Sequence, residues 1–297
     1  MTRDRATISA APGGLAVGFL VVSILVAVST AGAGTFGVVP SADGTPISYE
    51  VHGEGEPTLI LVHGWSCDAR YWYAQVAHFA ARHRVVTVDL AGHGHSGTGR
   101  EDYTTGSFGE DVRVVADAVS GDRFILVGHS MGSLVIAEAA RLLPSRVLGL
   151  IAVDALHNLE FPVTEANAAA MIASLEADFP AACRKFAAGM IKSDTDADLA
   201  AWIEADMAAA PSHVAVSAMR GYMAQWISGA GPALFEELPL PVVAVCADLW
   251  PVDAEANRRH MHTFEAIVLE ATDHFLMLGA AEEFNRALEK AVAKIES

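Results

Sequence analysis

The chain has 297 residues, 52% of them hydrophobic, and 19 Lys and Arg stand against 36 Asp and Glu, a formal net charge of −17. This much apolar sequence excludes a disordered chain and suits one large domain, alone or with an insertion. The acid excess, with no run of basic residues, argues against a nucleic-acid partner, because phosphate binding needs clustered Lys and Arg.

Residues 1–34 form a segment of their own. Arg3 and Arg5 precede an apolar run from Leu15 to Val28, and Ala31 and Ala33 follow it with AxA spacing. That is the layout of a secretory signal, and the run is shorter than the roughly 20 apolar residues a spanning helix needs. Export is the expectation, as a secreted, periplasmic or cell-surface protein. The alternative is membrane association through an uncleaved anchor, lengthened by flanking small residues such as Ala10, Ala11 and Ala27.

Beyond the leader, apolar runs alternate with helical patterns. PISYEV and TLILVHG (Pro46–Gly64) predict strands, Ala69–His83 a helix, and Arg84–Gly94 a strand entering a Gly-rich loop. A helical pattern over Gly109–Val119 precedes the strand RFILVGHS, a helix from Leu134 and the strand VLGLIAVDA. Apolar runs without alternation suit strands covered on both faces, and the helices between them suit the crossovers of a parallel sheet. The pattern is α/β, a mostly parallel central sheet flanked by helices.

The rhythm stops from 158 to 231. Met171, Ile172, Leu175 and Phe179 recur at helical spacing, as do Leu199, Trp202, Ile203 and Met207, then Val216, Met219, Met223 and Ile227. This predicts a helical insertion between a first core part, 35–157, and a second, 232–297. The second part holds the strands PVVAVCAD and FEAIVLE and a terminal helix over Ala281–Ile295. Cys67, Cys183 and Cys246 are three and far apart, so no disulfide framework is expected; Cys246 reads as a small core residue.

Gly128–Gly132 reads GHSMG and fits GxSxG, where a strand turns sharply into a helix and lifts Ser130 above the sheet. A serine hydroxyl becomes nucleophilic when a base takes its proton, and that base needs an acid to fix its tautomer. Among twelve histidines, His274 stands out, because it follows the last predicted strand. Acyl transfer also needs oxyanion donors, and LVHGW ends a strand so that the N–H of Trp65 could face the same point as that of Met131.

LVHGW, DLAGHGHSG, GHSMG and DHF, in this order and spacing, resemble the α/β-hydrolase superfamily, and more narrowly its serine hydrolases with a helical cap. The resemblance covers Gly37 to Ser297. It implies the α/β-hydrolase fold with residues 158–231 as the cap, attack by Ser130, proton transfer through His274 and an acyl-enzyme resolved by water. Ser at the nucleophile position counts against an epoxide hydrolase or haloalkane dehalogenase. No cofactor is implied. His93 and His95 fall in the Gly-rich loop that the superfamily carries, and no further cluster with zinc-like spacing follows, so no metal is expected.

The acid departs from the common pattern. Most relatives carry it in the loop after the strand that follows the cap, and here that loop reads CADLWPVD, with Trp250 at the expected position and Asp248 two residues earlier. Asp154, ending the strand after Ser130, matches members that carry the acid there, and both choices stay open, with Asp154 preferred. Asp253 and Asp273 are weaker candidates. The expected reaction is cleavage of an ester, lactone or thioester in a small apolar substrate beneath the Met, Trp, Leu and Phe of the cap. A C–C bond hydrolase, a perhydrolase, and a ligand-binding or signalling protein with little or no turnover are the alternatives.

Overall fold

The computed structural model describes residues 34–297, so the leader expected over 1–34 lies outside the described residues but for its last. Eight strands form one sheet: β1 (Thr35–Pro40), β2 (Pro46–His52), β3 (Thr58–Val62), β4 (Val85–Val88), β5 (Phe124–His129), β6 (Val147–Val153), β7 (Pro241–Ala247) and β8 (Thr263–Leu269). Their order is β1-β2-β4-β3-β5-β6-β7-β8. β2 pairs antiparallel with β1 and β4, and every other pair is parallel. β3, β4 and β5 are buried along their whole length, which is why their sequences are apolar without alternation.

Helices fill the crossovers. A 3₁₀ turn (Ala69–Trp72) and α1 (Tyr73–Phe79) follow β3, α2 (Thr105–Ala118) follows β4, and α3 (Gly132–Leu142) follows β5. The single helix expected over 69–83 is thus a turn and a shorter helix; the Asp68 carboxylate accepts the Arg70 N–H at 2.9 Å and starts the 3₁₀ turn. α2 opens with a reciprocal cap between Thr104 and Ser107.

Between β6 and β7 lie α4 (Glu165–Ala177), α5 (Phe179–Ala188), α6 (Ala197–Met207), α7 (Ser212–Ser228) and α8 (Ala230–Glu236), with no strand among them. α8 crosses the boundary expected at 231, because Gly229, at φ 74°, turns the chain into one more short helix before β7. α9 (Ala254–His260) joins β7 to β8, and α10 (Leu276–Gly279) leads to α11 (Ala281–Glu296), which packs on β6, β7 and β8.

The parallel register sets the site. Val62 aligns with Gly128, Gly128 with Ala152, and Ala152 with Ala244, so β3, β5, β6 and β7 end level with one another. In open α/β sheets the loops beyond such carboxyl ends form the ligand crevice. The loops carrying Trp65, Ser130, Asp154 and Asp248 all start there.

Candidate active site

Ser130 lies between β5 and α3 at φ 53°, a left-handed conformation that costs a non-glycine residue energy and persists where neighbours impose it. Its N–H donates to the Val153 carbonyl at 2.9 Å. The flanking glycines are required by contact: a Cβ on Gly128 would lie 2.3 Å from the Gly132 oxygen, and one on Gly132 2.7 Å from the His63 oxygen. The turn is closed by backbone packed on backbone.

His274, in the loop after β8, directs Nδ1 to Asp154 Oδ2 at 2.6 Å. Asp154 is buried, and its Oδ1 accepts the Ala247 N–H at 2.8 Å. Burial opposes ionisation of this carboxyl, but His157 and His274 beside it outweigh burial and hold it below the usual carboxylate range. A hydrogen bond from His274 Nδ1–H leaves Nε2 as the basic nitrogen.

Asp248 is not brought to His274. Its side chain is 38% exposed, its Oδ1 accepts Lys192 Nζ at 2.6 Å and its Oδ2 the Ala271 N–H at 3.1 Å. This carboxylate therefore ties the loop after β7 to the segment after α5 and to the loop after β8. Trp250, at the position where the common pattern has its acid, sets its ring edge-on to His274, with centroids 5.9 Å apart. Asp253 caps α9 through the Ala256 N–H, and Asp273 accepts from Thr195 Oγ1 at 2.5 Å and from the Phe275 N–H at 2.9 Å.

Two histidines escape a reading of the sequence. His129, the first variable residue of the GxSxG pentad, is buried and donates from Nε2 to the His274 carbonyl at 2.9 Å, with the two rings 4.6 Å apart. Burial, helped by His274, pushes its pKa down to about 3, so it is a neutral strut under the His274 loop. His157 places Nε2 3.3 Å from Asp154 Oδ1 and sets its ring edge-on to Trp250 at 5.5 Å. The one available signal for His129 was a polar residue at the end of an otherwise apolar strand.

The loop after β3 runs beside the serine: a Cβ on Gly64 would lie 3.3 Å from Ser130 Cβ. Among the described residues, neither the Trp65 nor the Met131 N–H donates to a protein acceptor. The Trp65 indole donates to the Ala215 carbonyl of α7 at 2.7 Å and packs edge-on against Phe179 and Phe186, which ties this loop to the inserted helices. His63 receives the Leu90 N–H on Nε2 at 3.1 Å, and burial lowers its pKa. His93 is buried with its pKa pushed down to about 3 by burial first and His63 second, whereas His95 is exposed beside Asp89. These two do not converge.

Ser130, Asp154, His157 and His274 open on one cavity of about 890 Å³. Phe161 and Val163 from the segment before α4, Tyr222, Met223 and Trp226 from α7, and Trp250 and Val252 from the loop after β7 form its apolar wall. Asp253 and Glu255, both exposed, also line it, and no Lys or Arg of the described residues does. Arg259, on the same helix as Glu255, is held in two hydrogen bonds by Glu160.

The family model described as alpha/beta hydrolase fold matches residues 57–216, more than half of the chain. The chain is 40% identical over 101 residues to a pimeloyl-[acyl-carrier protein] methyl ester esterase of Edwardsiella ictaluri, covering 34% of this chain and 37% of that protein. It is 34% identical over 106 residues to a putative carbamate hydrolase of Azorhizobium caulinodans, covering 36% and 40%. The match thus spans well under half the length of these curated relatives. In fold, it is similar to an esterase from Exiguobacterium antarcticum, with a TM-score of 0.76 and 20% identity over 89% of this chain and all of the other.

Proposed function

The chain belongs to the α/β-hydrolase family, and from that premise we propose that it is a serine hydrolase of small, apolar, ester-type substrates, working through an acyl-enzyme on Ser130. The observation that carries this reading is the convergence of a strained serine and an Asp154-held imidazole on one apolar cavity.

His274 Nε2 takes the Ser130 hydroxyl proton as Oγ attacks the carbonyl carbon, and Asp154, kept ionised, stabilises the imidazolium that forms. The Trp65 and Met131 N–H groups receive the oxyanion, and among the described residues no other acceptor engages them. The imidazolium then protonates the leaving alcohol, and a water repeats the sequence in reverse roles. The apolar wall takes the larger hydrocarbon part of the substrate. An ester reaction is also what the names of the Edwardsiella and Exiguobacterium relatives describe for those proteins. The apolar run and AxA of the leader support export; among the described residues, no helix is long and apolar enough to cross a membrane.

The test is turnover of p-nitrophenyl acetate and butyrate, with Ser130→Ala as control. The expected result is hydrolysis that Ser130→Ala lowers by roughly a million-fold toward the residual rate left by the oxyanion donors and binding, together with labelling of Ser130 by a fluorophosphonate. Labelling without turnover across a panel of esters, lactones and thioesters would overturn the reading in favour of a ligand-binding protein.

A further inference from the structure

The acid of the site also belongs to a second cluster with a different chemistry. Asp154 and His157 share one loop and Cys246 comes from a distant strand, yet each offers a ligand atom within 4.8 Å of the other two. His157 Nε2 is enclosed, and among the described residues its polar neighbour is Asp154 Oδ1 at 3.3 Å, out of line for a hydrogen bond. Cys246, at the end of β7, makes one weak contact, from Sγ to the Ala155 carbonyl at 3.6 Å.

The spacing suits a small tetrahedral cation. Zn²⁺ holds nitrogen and oxygen ligands at about 2.0–2.2 Å and thiolate at about 2.3 Å, so ligand atoms on one ion stand roughly 3.3–3.6 Å apart. His157 Nε2 and Asp154 Oδ1 are already 3.3 Å apart. The sulfur, within 4.8 Å of both, closes in to complete a tetrahedral site. Asp154 and His157 border the cavity and provide the way in, and the fourth position is left for water from that side.

We propose that Asp154, His157 and Cys246 form a binding site for a borderline-soft divalent cation, zinc foremost, and that its occupation switches the hydrolytic site off. On binding, Cys246 loses its S–H proton to solvent and ligates as the thiolate, His157 ligates through Nε2, and Asp154 through Oδ1. Metal binding at a thiol releases its proton, so the ion has to drive that loss. The metal charge then neutralises the carboxylate that the His274 imidazolium depends on, and the base loses its support. The inhibitory half rests on the function proposed above; the binding half does not.

The test uses the reduced full chain and Co²⁺ as the probe. A saturable thiolate-to-cobalt charge-transfer band with one equivalent of Co²⁺, displaced by Zn²⁺, is expected. Cys246→Ala should abolish the band while retaining the far-ultraviolet circular dichroism of the parent, and His157→Asn should weaken binding roughly tenfold or more. No band, or a band that survives Cys246→Ala, overturns the site. Zn²⁺ should suppress ester hydrolysis by the parent and spare that by Cys246→Ala; equal inhibition of both overturns the switch. If the parent hydrolyses no ester at all, the functional reading fails, and the cobalt band still decides the site.

Discussion

At the scale of single residues, the two carboxylates that the sequence left open separate by what they touch. Asp154 holds the imidazole at 2.6 Å from within the protein, whereas Asp248 answers a lysine at the surface. Asp154→Asn should lower kcat by about 10⁴, since an amide favours the wrong imidazole tautomer, and Asp248→Asn should leave ester turnover within about twofold. Parallel assays of the two variants decide it. Acid unfolding gives a second readout. The folded-state pKa of Asp154 is depressed, so its ionisation contributes stability above the ordinary carboxylate value of about 4, and that contribution is lost as pH falls through the lowered value. The stability gap between the parent and Asp154→Asn, from urea unfolding, should be widest at neutral pH and shrink below about pH 4. Ser130 and His274 were legible because a turn motif and a strand end are local signals. His129 and His157 were not, because each acquires its meaning from a loop far away in sequence, and Asp154 was legible only as one of two.

Among the elements, the parallel strands could be read directly, since burial on both faces writes an unbroken apolar run. β1 could not: it is an edge strand interrupted by Gly37, with Phe36 and Val38 exposed, and it exists by pairing with β2. Nor could α9, whose polar sequence starts from the Asp253 cap. The tie that fixes this edge of the sheet is equally non-local. Arg100, after β4, donates to Asp111 of α2 at 2.5 Å and to Asp43, in the turn between β1 and β2, at 2.6 Å, and Ser41 also donates to Asp111. Asp111 is fully buried, and burial raises its pKa even with Arg100 beside it. Removing one partner of such a pair strands the other, at about 3–5 kcal/mol. Arg100→Met should therefore lower the melting temperature by roughly 10 °C, and Arg100→Met with Asp111→Leu should recover part of the loss. Calorimetry of the single and double variants checks this, and an unchanged melting temperature in Arg100→Met would show the pair to be dispensable.

On the scale of the whole molecule, the charge that first argued against nucleic acid also bears on substrate choice. The chain carries a net charge of −17, and the cavity is lined by Asp253, Glu255 and the ionised Asp154, with no Lys or Arg of the described residues. Desolvating an anionic substrate there costs energy that no cation in the wall returns. The long-range field repels the same substrate before it arrives. Neutral apolar esters meet neither penalty. The kcat/KM for a neutral butyrate ester should thus exceed that for an otherwise matched ester bearing a terminal carboxylate by about 10²-fold at low salt. Because the screening length falls to about 10 Å at 0.1 M ionic strength, added salt should narrow the gap by acting on the anionic ester alone. Glu255→Gln should narrow it further while leaving the neutral ester unaffected, since Glu255 is an exposed lining residue outside the reacting atoms. Equal rates on the two esters at low salt would show that the field does not reach the reacting carbonyl, and selectivity would then have to reside in the shape of the apolar wall.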